Sequence, residues 1–156
     1  MSAPHDSSIG SRVSAAAAHD SVGATHDSGA AGHDSVARAL LESARVMVER
    51  ASADTRGLWP RAAVVLSRQA LEVALKTFWA ARALGAQDCS TRAQLLCLGA
   101  YAADEGLARR ASQVWGALSR AAHVHPYELP PTRGELLTWI DGVGEGVEKT
   151  ERGWRK

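Results

Sequence analysis

The sequence predicts an all-α protein, an up-down bundle of about five helices behind a disordered N-terminal arm. Three observations carry that expectation. Apolar residues recur three and four apart through most of the chain, and no stretch alternates with period two. Alanine dominates the apolar share, and Ala, Leu, Arg, Glu and Gln cost least to place in a helix. Glycines and prolines at Gly57, Gly85, Pro126 and Pro130–Pro131 cut the periodic stretches into helix-sized pieces.

Residues 1–33 read as the arm. The tripeptide His-Asp-Ser starts at His5, His19, His26 and His33, a seven-residue repeat with one degenerate copy at Arg12. The residues between are Gly, Ala, Ser and Thr, so nothing at coiled-coil positions would drive supercoiling. With little apolar surface to offset chain entropy, disorder is expected. His-Asp pairs can collect a divalent ion, but a tract without supporting contacts binds one weakly. The repeat reads as a spacer, and no metal site is assigned.

Residues 34–152 read as the bundle and 153–156 as a basic tail. His33-Asp34-Ser35 offers N-cap side chains for the first helix, whose stripe is Leu40, Leu41, Ala44, Val46, Met47 and Val48. Asp54-Thr55-Arg56-Gly57 should end it, with Gly57 as a left-handed cap. The second helix starts near Leu58-Trp59-Pro60, where proline is tolerated, and runs to about Leu84, where Gly85 stops it. It is the most apolar helix and should sit centrally. Thr91 and Gln94 suggest a capping box for the third helix, which carries Leu95, Leu96, Leu98 and Tyr101. Asp104 and Glu105 favour the start of a fourth, their charges facing its positive end. Leu107, Ala111, Val114, Trp115 and Leu118 form its apolar face, and Pro126 requires it to stop near His125. After an extended loop at 127–131, Thr132 and Glu135 form the box of a fifth helix bearing Leu136, Leu137, Ile140, Val143 and Val147. Gly142, Gly144 and Gly146 each cost that helix about 1 kcal/mol, so its second half should fray.

The bulk numbers exclude several functions. A net charge of +1 generates no global field for a polyanion, although Arg concentrates in the bundle. Cys89 and Cys97, eight residues apart, match no zinc motif, and two reduced core thiols in a cytoplasmic protein are expected. No apolar run reaches the ~18 residues of a membrane span, and no basic stretch followed by a long apolar run is seen, so neither secretion nor membrane insertion is expected. P-loop, dinucleotide-binding and Ser-His-Asp patterns are absent. No cofactor is expected.

The informative residues are polar ones in apolar settings. Arg68 and Glu72 lie four apart in the most apolar helix, as a solvated surface pair or a partly buried one. At the end of the fourth helix stand Arg120, His123 and His125. Cations there oppose the negative end of the helix dipole, which is explanation enough for a structural role. The chemical reading is a phosphodiester site: histidine can take the proton of a ribose 2′-hydroxyl, and arginine can hold the charge that develops at phosphorus.

Ser67 to Lys76, with Arg68-x-x-Leu71-Glu72, resembles the central helix of the HEPN-like domains, and Arg120 to His125 resembles that superfamily's R-x4-6-H motif. The resemblance spans about Ser35 to Lys149. It implies a homodimer with both motifs facing a shared cleft, and metal-independent endoribonuclease activity of toxin or defence type. Arg120 would be the phosphate ligand and His125 the general base, with His123, Glu72 and Arg68 in support. RNA and a cognate antitoxin would be partners, and no membrane is involved. One position departs: active members place Asn, Asp or His directly after the motif arginine, and this chain has Ala121. Two alternatives therefore stand beside the nuclease. One is a HEPN-like bundle that binds RNA, a nucleotide or a partner without cutting. The other is an unrelated helical dimerisation domain anchored by Trp59, Trp79, Trp115 and Trp139.

Overall fold

The computed structural model describes residues 24–52, 54, 57–82, 85–102, 104–123 and 129–152. Its regular elements are all helical: α1 (Ala24–Glu49), α2 (Trp59–Ala80), a 3-10 turn (Ala86–Asp88), α3 (Thr91–Tyr101), α4 (Glu105–Ala122) and α5 (Arg133–Arg152). The all-α class is as expected. Residues 1–23 of the expected arm and the tail at 153–156 lie outside the described residues.

α2 packs against every other helix. Its sequence explains this, because Ala63, Val64, Ala70, Leu71, Ala74, Leu75, Phe78 and Trp79 bury more than half of its circumference, leaving an exposed stripe of Arg61, Val65, Gln69 and Lys76. Ser67 and Thr77 are buried there at little cost: each hydroxyl donates to the carbonyl four residues back, Ser67 to Ala63 at 2.8 Å and Thr77 to Val73 at 2.9 Å. α1 contributes Ala37, Leu41, Ala44 and Val48, and α5 contributes Leu136, Ile140, Val143 and Val147, both at the alternating three-and-four spacing of one helical face. α4 closes the core with Leu107, Ala111 and Leu118.

Three sequence signals act where expected. Pro60 sits in the first turn of α2. Asp104 is the N-cap of α4, its carboxylate accepting from the Gly106 N–H at 2.8 Å. Thr132 and Glu135 form the reciprocal box of α5: the Thr132 N–H donates to Glu135 Oε2 at 2.8 Å, and the Glu135 N–H donates to Thr132 Oγ1 at 3.2 Å. Thr132 Oγ1 also donates to that carboxylate at 2.7 Å. The left-handed conformation expected of Gly57 is found instead at Gly85, at φ 70°.

Other expectations need correction. α1 begins at Ala24, so the last two His-Asp-Ser copies lie inside the helix and His33-Asp34-Ser35 is no N-cap. Once the packed half of α1 exists, extending it through alanine-rich sequence needs no new nucleus. α1 ends at Glu49, well before Gly57, which does not have positive φ. α2 ends at Ala80 rather than Leu84. The N-cap of α3 is Ser90, whose side chain accepts from the Ala93 N–H. Gln94, buried, instead donates to the carbonyls of Cys89 at 2.9 Å and Gln87 at 3.1 Å, and so ties the 3-10 turn to α3. α5 continues past its three glycines to Arg152. Cys89 and Cys97 are free thiols, but both are exposed and neither is in the core.

Ion pairs fix the helix ends. Asp104 also accepts from Lys149 Nζ at 2.7 Å and Arg110 Nη2 at 2.8 Å, joining the start of α4 to the end of α5. Arg45 of α1 pairs with Asp141 of α5. The hydrogen bond from Lys149, with those from the Gly106 N–H and Arg110, pulls the Asp104 carboxyl down to about 2. No described helix is long and apolar enough to cross a membrane.

Candidate functional site

The end of α4, the start of α2 and the start of α5 enclose an open cleft of about 620 Å³. α4 brings Arg120, Ala121 and His123 to it, α2 brings Arg61, and α5 brings Glu135 and Trp139. Leu129, Pro130, Pro131 and Thr132 form the rim that leads into α5.

Each group is placed by its helix. Leu118 is fully buried, which turns Arg120, two residues on, toward solvent. His123 is the C-cap residue, its N–H donating to the Arg120 carbonyl at 3.1 Å. Trp139 precedes buried Ile140 and is itself half-buried, packing one side on the core while lining the cleft with the rest. Arg61 is exposed in the first turn of α2, a turn that has neither an acidic residue nor a side-chain cap.

The charges are segregated. Arg61 and Arg120 stand on the α2 and α4 walls, and among the described residues neither takes part in an ion pair. Among the described lining residues the one carboxylate, Glu135, belongs to α5. The Thr132 N–H, followed by the Thr132 hydroxyl, lowers its pKa and fixes its charge at the helix start. The cleft therefore offers two guanidinium groups from α2 and α4, an indole and a carboxylate from α5, and an imidazole at the C-cap of α4. Planar guanidinium groups outside any described ion pair suit phosphate oxygens.

The structure brings together Arg120 and His123 from the residues singled out by sequence. His125 lies outside the described residues. Arg68 and Glu72 do not line the cleft. Seven residues beyond Arg61 on α2, Arg68 is displaced along the helix by about 10 Å. Its Nε donates to Glu72 Oε1 at 2.9 Å, and its guanidinium lies 5.8 Å from the centre of the Trp115 ring on α4. The pair is about two-thirds buried, as one sequence reading had it, and the aromatic face takes the place of a second charged partner. Its contacts are those of a tie between α2 and α4.

Sequence reasoning missed Arg61, Glu135 and Trp139 as cleft residues. A signal existed for Arg61, because a cation in the first turn of a helix opposes the dipole and gains nothing locally. Glu135 was legible only as a cap and Trp139 only as an apolar anchor. Among the described residues no group of three His, Cys, Asp or Glu side chains could hold a metal ion. No protein-family model, curated protein or solved structure matches the chain.

Proposed function

We propose that this is a HEPN-like helical domain whose cleft holds an RNA phosphodiester and cleaves it without a metal. The observation that carries the reading is that Arg120 and His123 line one cleft with Arg61, a second guanidinium outside any described ion pair. Arg120 and Arg61 hold the phosphate oxygens and stabilise the charge added as the phosphorus becomes pentacoordinate. His125 takes the proton of the 2′-hydroxyl while O2′ bonds to phosphorus. The P–O5′ bond breaks, and O5′ receives a proton from a second acid, a role His123 fills from the cleft lining. The products are a 2′,3′-cyclic phosphate and a 5′-hydroxyl. The domain works as a homodimer, and Leu58, at the N-cap of α2, and Val65, on α2, are exposed apolar surface for a second copy to cover. A cognate antitoxin is the other partner this reading implies.

One observation favours a second reading, binding without cutting. Ala121 itself lines the cleft, so a methyl group stands where active HEPN-like proteins carry a polar side chain. The two readings separate in one assay. Purified protein is incubated in EDTA with a mixed RNA pool, beside Arg120→Ala and His125→Ala. Fragments ending in 2′,3′-cyclic phosphate from the wild type alone support cleavage. Binding by an inert wild type supports the second reading, and cutting by both variants removes this pair from the chemistry.

A further inference from the structure

We infer that Trp139 is the platform on which one unpaired base of the bound RNA stacks, and that Arg61 is a phosphate ligand beside Arg120. The inference rests on the reading of this cleft as an RNA site and names the residues that hold the base and the phosphate. The segregation of the lining carries it. The guanidinium groups belong to α2 and α4, whereas α5 presents an indole and the fixed carboxylate of Glu135. A ligand whose every part is anionic would be repelled at the α5 wall. A nucleotide within a strand has the matching asymmetry, with phosphate at one end and a flat, uncharged base at the other.

Trp139 is suited to that base. It is half-buried, so its ring is held by the core and loses little freedom on binding. The same cleft is lined by Leu129, Pro130 and Pro131, with Leu129 94% exposed, which adds apolar surface for a base to rest against. The cleft volume of about 620 Å³ falls in the range of small-ligand sites, roughly 300–1,000 Å³, so it accommodates a nucleotide-sized group and not a helix. A base within a duplex has both faces covered by its neighbours and must be unstacked before it can enter.

The test uses a short unstructured oligonucleotide in 2′-O-methyl form, so that no 2′-hydroxyl is available for cleavage. It is presented alone and annealed to its complement, and free AMP serves as competitor. The wild type should bind the single strand well above the duplex, and AMP should compete only weakly. Trp139→Leu should weaken single-strand binding by roughly five- to a hundredfold, the usual range for loss of one stacked base. Trp139→Phe, which keeps a ring and most of the core contact, should retain most of the affinity. Binding should quench part of the wild-type tryptophan emission that the Phe variant lacks. Arg61→Gln should lower the slope of log affinity on log salt by about 0.7, one single-strand phosphate contact. Thermal melting establishes that each variant is folded, and the Phe variant carries the quenching test even where Leu is unstable. Equal affinity for duplex, an unchanged Trp139→Leu, or AMP binding as tightly as the oligonucleotide overturns the inference while leaving a phosphate cleft in place. No RNA binding by the wild type defeats the underlying reading as well.

Discussion

Gly142 and Gly144 stand two residues apart in α5, and replacing each with alanine should have opposite effects. In a helix interior alanine is favoured over glycine by about 1 kcal/mol. A Cβ at Gly144 meets nothing within 4 Å, so Gly144→Ala should collect that gain in full. For a domain of about 130 residues, at roughly 2.1 cal/mol/K of unfolding entropy per residue, the gain corresponds to a Tm rise of ~3–4 °C. A Cβ at Gly142 comes 3.0 Å from Val114 Cγ2 on α4. Carbon atoms in ordinary contact lie about 3.5–4.0 Å apart, and overpacking of this kind costs typically ~1–3 kcal/mol. Gly142→Ala should therefore be neutral to destabilising by ~2 kcal/mol, the difference between those two magnitudes. Val114→Ala removes the obstructing methyl, and in that background Gly142→Ala should again stabilise. Thermal unfolding of the four proteins in this cycle measures the coupling directly. Equal stabilisation by Gly142→Ala and Gly144→Ala would refute the close approach of α4 and α5. No gain from Gly144→Ala would mean that the second half of α5 is not held as helix.

Three further outcomes follow from the packing. Asp104 has its folded-state pKa depressed to about 2 by Lys149, Gly106 and Arg110, so its contribution is present above the unfolded value of ~3.9 and lost as pH falls through 2. Asp104→Asn should melt lower than wild type at pH 7, with the gap closing between about pH 4 and pH 2; a gap independent of pH would contradict the ion-pair account. Gln94→Leu leaves the carbonyls of Gln87 and Cys89 without their side-chain donor and should cost ~1–3 kcal/mol in chemical denaturation; a neutral result would show that water replaces the amide. Cys89 and Cys97 should both react with a thiol reagent in the native state, whereas reaction only on unfolding would return them to the core.

How far the sequence could be read depended on whether each signal was local. Pro60, Asp104 and the Thr132–Glu135 box act within one helical turn, and each starts its helix where its chemistry requires. The start of α1 is not local, since the cap-competent Asp34 and Ser35 lie inside the helix and it is carried on to Ala24 by propagation from its packed half. α3 defeats periodicity for another reason. Leu95 and Leu98 face the core while Leu96 is 77% exposed beside exposed Cys97, so apolar residues occupy both sides and neither side is marked as inside. The same helix misled the capping analysis by one residue, because Ser90 and Thr91 are both competent caps and the buried Gln94 amide is used elsewhere. At the site, Arg120 and His123 were legible as a pair because they share the end of one helix. Arg61 and Trp139 join them only through the packing of α2 and α5 against α4, a relation that spacing along the chain does not encode.

Arg120 and Arg61 are the proposed phosphate ligands of one cleft. The most direct measurement is the affinity of the folded protein for a 2′-O-methyl oligoribonucleotide across a salt series, beside Arg120→Ala. Two phosphate contacts predict a slope of log affinity on log salt near −1.4, falling to about −0.7 in the variant, with weaker binding at every salt concentration. A wild type that does not bind, or an Arg120→Ala protein with the same affinity and slope, would contradict that assignment.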